Sequence, residues 1–199
     1  RGGDERLIEQ FRYVNESLRQ INEVELTAAL KNSRFERFWD GPFMQQPGTV
    51  LGAFGDELNF SFNSQPAGTL LQLGYDYGFS RGSGDVFAAS GGVVVLAENL
   101  GVYGRTVAID HGLGLMSVYA HLESAAVNKG DSVSIGQKIG VAGSSGLAGG
   151  TRMHFETRIQ GSPVDTREWW DKRWFYGHIS AKINEAKRTL GLPVYKPLE

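Results

Sequence analysis

Cysteine is absent from all 199 residues. That excludes a disulfide framework, a thiol nucleophile and a thiolate zinc site, and it is compatible with an oxidising compartment. A dominant charge sign is lacking too. Twenty Lys and Arg stand against 22 Asp and Glu, a formal net charge of −2, so nothing attracts nucleic acid or an anionic membrane electrostatically. No apolar run approaches the roughly 20 residues of a membrane-spanning helix. The chain opens on Arg1 rather than Met, which leads us to expect a targeting segment or anchor beyond this stretch. What is plentiful is glycine, at 27 residues. That is high for a helical protein and predicts many turns, hence β-structure, with room for a polar groove. The length suits one domain with attachments and a real hydrophobic core.

Residues 4–39 read as helical. Leu7, Phe11, Val14, Leu18 and Ile21 follow a 4-3-4-3 spacing that places them on one stripe. Leu26, Leu30, Phe35 and Phe38 form a second, shorter apolar set. A helical hairpin packed on the main domain and a coiled-coil or partner-binding arm both fit, and two heptads do not separate them. Gly41-Pro42 is expected to stop the helices.

From Val50 the pattern changes to short alternating strands. They are expected around Leu58–Phe62, Thr69–Leu73, Val86–Ala88, Val93–Leu96, Thr106–Asp110 and Met116–Ala120, with further short strands near Val127–Val141. The last two of the named six flank Gly112-Leu113-Gly114, which reads as a hairpin turn, and a glycine-rich loop spans Ser80–Gly84. Past Pro163, three tryptophans (Trp169, Trp170 and Trp174) are expected to lock the C-terminal segment onto the core. Phe175–Leu190 then reads as an amphipathic helix.

The most telling stretch is Gly150-Thr-Arg-Met-His-Phe-Glu156. As a strand it sends Arg152, His154 and Glu156 to one face and Met153 and Phe155 to the other. One face can line a site while the other enters a core. Of the four histidines, His178 is expected in the C-terminal helix as a structural or exposed residue, and His111 in a turn or packing role. His121, at the end of a strand, is expected to project into a groove. A catalytic zinc needs three protein ligands and an open position. Asp76 and His154 supply two, and Gln72, four residues before Asp76, offers only a neutral amide.

Read together, Gln72-x-Gly74-x-Asp76, Val107-x-Ile109-x-His111-Gly112, Tyr119-Ala120-His121-Leu122, Val127-x-Lys129-Gly130, Gly136-Gln137-x-Ile139-Gly140 and Gly150-x-Arg152-Met153-His154-Phe155-Glu156 form an ordered set. It resembles the lysostaphin-type (LytM-like) zinc metallopeptidases that cut peptidoglycan. The resemblance spans about Gly48 to Asp171. It implies a mainly β fold, an antiparallel β-sandwich or groove of the LytM-like type with N-terminal helices and a C-terminal helix. The expected division is a helical segment over 1–44, the peptidase-like domain over 45–171 and a helical extension over 172–199.

In that family the first motif is H-x-G-x-D and the last H-x-H. Carried over by position, Asp76 and His154 keep two metal-ligand places, and Gln72 stands where the third ligand should be. His121 keeps one catalytic place, and Arg152 stands in the other. Guanidinium does not deprotonate, so a fixed cation there opposes a metal. Arg152 is either a surface arginine unrelated to Asp76, or it fills the emptied pocket and pairs with Asp76, bidentately where geometry allows.

The resemblance therefore implies a catalytically deficient member with no bound cofactor and vestigial ligand positions at Gln72, Asp76 and His154. Its expected work is peptidoglycan remodelling or cell shape, through peptidoglycan or an active hydrolase (a paralogue or an amidase), with a dimer through the N-terminal helices as an option. Its expected place is the bacterial periplasm, anchored to the inner membrane by a segment outside this stretch. The alternative is an active zinc-dependent DD-type endopeptidase with an unusual metal site. A third reading rests on Lys129-Gly130-Asp131-x-Val133, which is similar to the hairpin of biotinyl and lipoyl carriers. It fails because Lys129 is not at an exposed hairpin tip between small or Met residues.

Overall fold

The structure, a computed structural model, describes residues 2–80 and 84–194. Part of the expected Ser80–Gly84 loop falls outside them.

Twelve strands follow in chain order: β1 Thr49–Gly52, β2 Glu57–Phe62, β3 Gln65–Leu71, β4 Tyr75–Gly78, β5 Asp85–Phe87 and β6 Gly92–Asn99. Then come β7 Arg105–Gly112, β8 Leu115–Ala125, β9 Ser132–Val133, β10 Lys138–Ala142, β11 Arg152–Ile159 and β12 Ser162–Val164. Ten of them form one sheet with the path β1-β4-β11-β8-β7-β6-β9, to which β5, β10 and β12 attach, and β2–β3 is a separate hairpin. Every pairing is antiparallel. The fold is mainly β, antiparallel and flanked by helices at both ends, as the sequence indicates.

Alternation sets the two faces of the central strands. Met153 and Phe155 of β11 join Tyr75 and Tyr77 of β4 and Tyr119 of β8 in the main core, leaving Arg152, His154, Glu156 and Arg158 on the opposite face. Gly74 permits β4 to approach β11, because a Cβ there would overlap the Phe155 carbonyl oxygen. The terminal aromatics close this core. Trp39 meets Trp169 edge-on at 5.8 Å, and Phe43 lies 5.5 Å from the same ring. The tryptophan-rich segment thus seats the C-terminal helices on the sheet, as expected. Helical turns run from Arg167 through Thr189, with His178 exposed and stacked on Trp174.

The N-terminal expectation needs correction. Among the described residues there is no N-terminal helical hairpin. Gly2–Arg12, Tyr13–Leu18 and Arg19–Ala29 run on as one helix whose middle stretch is π-helical. Residues 31–48 are not helical. They run beside the β7–β8 hairpin, where the Asp110 carboxylate accepts from Ser33 Oγ at 2.6 Å and from the Arg34 amide at 2.9 Å. The Phe38 amide donates to the His111 carbonyl at 3.0 Å. The expected apolar stripe is buried only in part: Val14 and Leu18 pack against the core and Phe11 against Phe60. Leu7 and Ile21 stay about half exposed, at 49% and 51%, and Phe35 is almost fully exposed, at 96%.

The inward positions are Ile8, Asn15, Asn22, Leu26 and Leu30. Two of them are asparagines, buried because they bond to backbone. Asn15 Nδ2 donates to the Thr69 carbonyl at 3.5 Å, and Asn22 Oδ1 accepts from the Val102 amide at 2.9 Å. A search for apolar periodicity misses such positions, and the π-helical turn, with its i→i+5 bonding, rotates the face further.

His111 is fully buried in the sheet. Its Nδ1 lies 2.6 Å from the Gly91 carbonyl, which can only accept, so Nδ1 carries the proton and Nε2 accepts from Ser117 Oγ at 2.8 Å. Burial lowers its pKa to about 4, against smaller raising effects of the Gly91 bond and the Asp110 charge. The folded value lies below the unfolded one of about 6.5. The contribution is therefore present above that value and is lost as pH falls through about 4. The urea midpoint should decline over this window, and the His111 ring resonance should show no titration near pH 6.5.

Candidate functional site

Register places the site. In the β4–β11 pair Asp76 lies opposite His154, and on the other side His154 lies opposite Ala120 of β8. Cross-strand partners share a face, so Asp76 and His154 meet directly and His121 follows at the edge. His121 adopts a positive φ of 63°, uncommon for a residue with a side chain. The ladder of β8 with β10 shifts register close by. This turns the ring toward His154, with centroids 6.3 Å apart. Gln72, Asp76, His121, Arg152 and His154, all five positions singled out in the sequence, line one cavity of about 450 Å³.

The side chains within it are joined in a line of alternating charge. Arg152 Nη1 donates to Asp76 Oδ2 at 3.3 Å, a single long bond rather than a two-pronged one. Asp76 Oδ1 lies 2.7 Å from His154 Nδ1, and His154 Nε2 lies 2.8 Å from Glu156 Oε1. Glu156 Oε2 accepts from Arg158 Nε at 2.6 Å. Arg158 in turn reaches Glu23 on the N-terminal helix, through Nη1 at 2.5 Å and Nη2 at 3.0 Å. Tyr103 adds its hydroxyl to Glu23 Oε2 at 2.7 Å.

The titration behaviour follows from these bonds. Burial by itself would make His154 harder to protonate, but its bonds to Asp76 and Glu156 and their charges raise its pKa to about 9. Burial pushes the other way on the carboxyls, and their cationic partners win. Asp76 is held below the usual carboxylate range, mainly by His154 with help from Gln72 and Arg152, and Glu156 by Arg158 and His154. His121 is lowered to about 4 by burial and then by the neighbouring charge on His154. Its Nδ1 lies 3.0 Å from the Ser145 carbonyl and therefore carries the proton, leaving Nε2 as an acceptor.

As arranged, the donors at these positions are committed to one another. A metal at the family position needs lone pairs from the place of Gln72, from Asp76 and from His154. Here each His154 nitrogen lies against a carboxylate, and each Asp76 oxygen already has a partner. Gln72 Nε2 is buried and turned toward Asp76, but among the described residues it meets no acceptor at hydrogen-bond geometry. Among the described residues no group of three or more His, Cys, Asp or Glu side chains is placed to hold a metal.

Sequence reasoning missed the far half of this network. Arg158 continues the period-two polar face of Arg152, His154 and Glu156, so that strand pattern could have revealed it. Glu23, Arg19, Asn15 and Phe11 reach the network or its cavity from the N-terminal helix. No local signal announces that, because the contacts bridge separations such as the 135 residues between Glu23 and Arg158.

The antiparallel sheet, with Gln72, Asp76, His121 and His154 grouped above it, defines a metallopeptidase-type domain. Residues 71–166 match peptidase family M23, and the chain belongs to that family. It is 36% identical over 143 residues to the Murein hydrolase activator EnvC of Escherichia coli, covering 72% of this chain and 31% of that protein. It is 38% identical over 143 residues to the Peptidoglycan DD-endopeptidase ShyA of Vibrio cholerae, covering 62% of this chain and 33% of that protein. The chain thus spans about a third of the length of these relatives. The catalytic domain of lysostaphin from Staphylococcus simulans superposes with a TM-score of 0.51 at 25% identity, over 62% of this chain and 92% of that one.

Arg158 has no exposed surface. Removing one partner from a buried charge pair leaves the other uncompensated, at about 3–5 kcal/mol. Arg158→Met should therefore lower the free energy of unfolding by about that amount, whereas Glu23→Gln, at the part-exposed end, should lower it by only about 1 kcal/mol. Urea denaturation of the two variants measures the difference.

Proposed function

We propose that this chain is a catalytically deficient M23 domain that serves peptidoglycan remodelling as a binding partner or regulator of an active wall hydrolase. The observation that carries this reading is the closed charge line. The side chains at the ligand positions bond to one another, and Arg152 stands beside Asp76 at the place of a catalytic histidine. Without a metal-activated water the site has no nucleophile for peptide hydrolysis. Asp76 and His154 are bonded to each other, and Arg152 occupies the second Asp76 oxygen.

The likeness to a murein hydrolase activator supports a partner role, with an amidase or an active paralogue as the expected client in the bacterial envelope. No helix among the described residues is long and apolar enough to cross a membrane. On the N-terminal helix, the outward Leu7, Ile21 and Val24 offer a surface on which another helix would pack. The likeness to ShyA favours the second reading, an active endopeptidase, which requires Gln72 to complete a metal site and Arg152 to swing away.

Metal analysis and peptidoglycan digestion separate the two readings. The purified chain is expected to carry far less than about one zinc per molecule and to release no soluble fragments from cross-linked peptidoglycan. The double variant Gln72→His/Arg152→His restores three ligands and removes the cation. It is expected to bind on the order of one zinc per chain. Stoichiometric zinc in the native chain, with turnover that His121→Ala abolishes, would overturn the proposal in favour of the endopeptidase.

A further inference from the structure

Among the described residues, three buried donors of side chains lining the cavity meet no acceptor at hydrogen-bond geometry: Arg19 Nε, Gln72 Nε2 and Arg152 Nε. They come from three separate parts of the fold, namely the N-terminal helix, the segment after β3 and the start of β11. Native interiors leave few such groups unpaired, and three around one cavity mark a place built to receive acceptors.

Arg152 is the most informative. Its Nη1 is spent on Asp76 Oδ2, and the other Asp76 oxygen is taken by His154. The Nε/Nη2 edge, the side of a guanidinium that meets a carboxylate with two parallel hydrogen bonds, carries no bond among the described residues. Beside it lies Gly149, where even a Cβ would come within 3.5 Å of Nη2. The absence of a side chain there leaves that edge approachable. Gln72, only 5% exposed, brings a further donor. Two permanent cations, Arg19 and Arg152, thus line a cavity whose own carboxylates, Asp76 and Glu156, are already bonded. Leu58, Phe60 and Leu71 give it an apolar wall. Its volume of about 450 Å³ is that of a small-ligand site.

We propose that this cavity binds the free α-carboxylate of a short peptide on the Nε/Nη2 edge of Arg152, with Gln72 and Arg19 as further donors and the apolar wall receiving a small alkyl side chain. This deepens the proposed function and rests on its metal-free site, since a zinc ion would displace Arg152 from Asp76. Binding needs no covalent step. It replaces three unpaired donors by charge-assisted hydrogen bonds and gives the degenerate site a use as a sensor of peptide ends.

The test titrates N-acetyl-D-alanyl-D-alanine, its C-terminal amide and N-acetyl-L-alanyl-L-alanine into the full chain by calorimetry, with zinc measured on the same sample. The acid should bind and the amide should bind at least about tenfold more weakly. Arg152→Lys keeps the charge but loses the fork, so it should weaken the acid about tenfold while leaving the amide unchanged. Arg19→Gln should give a smaller loss. Tighter binding of the D-form assigns the source to wall peptides, and of the L-form to protein C-termini; both uphold the carboxylate site. Equal binding of acid and amide, or no binding of the acid at millimolar concentration, overturns it. So does an unchanged affinity in Arg152→Lys. The acid–amide comparison and Arg19→Gln still decide the matter if Arg152→Lys does not fold. Stoichiometric zinc would overturn both this inference and the proposed function, whereas a zinc-free chain without preference for the acid overturns this inference alone.

Discussion

A line of six charges runs through the centre of this protein, from Arg152 through Asp76, His154, Glu156 and Arg158 to Glu23. Three cations alternate with three carboxylates, so each inner group has an opposite charge on either side. Burying a single ion of this kind is costly, and burying a pair often fails to repay its desolvation. Continuing the alternation until both ends reach partly exposed positions lets His154, Glu156 and Arg158 lie inside the protein as ions. The same bonds raise the His154 pKa and lower those of Asp76 and Glu156. Protonation state, side-chain orientation and strand pairing at the site are therefore one constraint seen from three sides.

That line also explains why the N-terminal helix belongs to the site rather than hanging beside it. Glu23 is its terminal carboxylate, and Tyr103 holds Glu23 from the other side. Arg12 Nε donates to the Ala67 carbonyl at 3.1 Å, Asn15 reaches Thr69, and Phe11 packs on Phe60 at 5.0 Å. The helix is thus fastened to the β2–β3 hairpin at one end and to the turn around Val102 at the other, and it forms one wall of the cavity. Its polar inward positions are suited to this. Asn15 and Asn22 hydrogen-bond the Thr69 carbonyl and the Val102 amide, which leucines could not do.

Much of the domain was legible in the chain. Gly112-Leu113-Gly114 marked the β7–β8 hairpin, and the alternation of Arg152, Met153, His154 and Phe155 marked a strand with one polar and one core face. The five site positions came from motif spacing, and the structure brings all five to one cavity. The pairing of Arg152 with Asp76 was anticipated in kind but not in rank. His154, at 2.7 Å, is the closer partner, and Arg152 contributes one bond at 3.3 Å. The N-terminal region was misread because apolar periodicity assumes that buried means apolar. Here hydrogen-bonding asparagines face inward, and Leu7 and Ile21 of the apparent stripe face out.

Local alternation, turns and spacing along the chain were enough to read the family, the antiparallel character of the sheet and the residues at the family's metal-ligand positions. How those residues bond to one another emerges only in three dimensions. Both ring nitrogens of His154 meet carboxylates, one across a strand pair and one two residues along its own strand. That arrangement is secured by Arg158 and by a glutamate 135 residues away. Charge interactions at contact distance follow position in space, and no pattern along the chain encodes them.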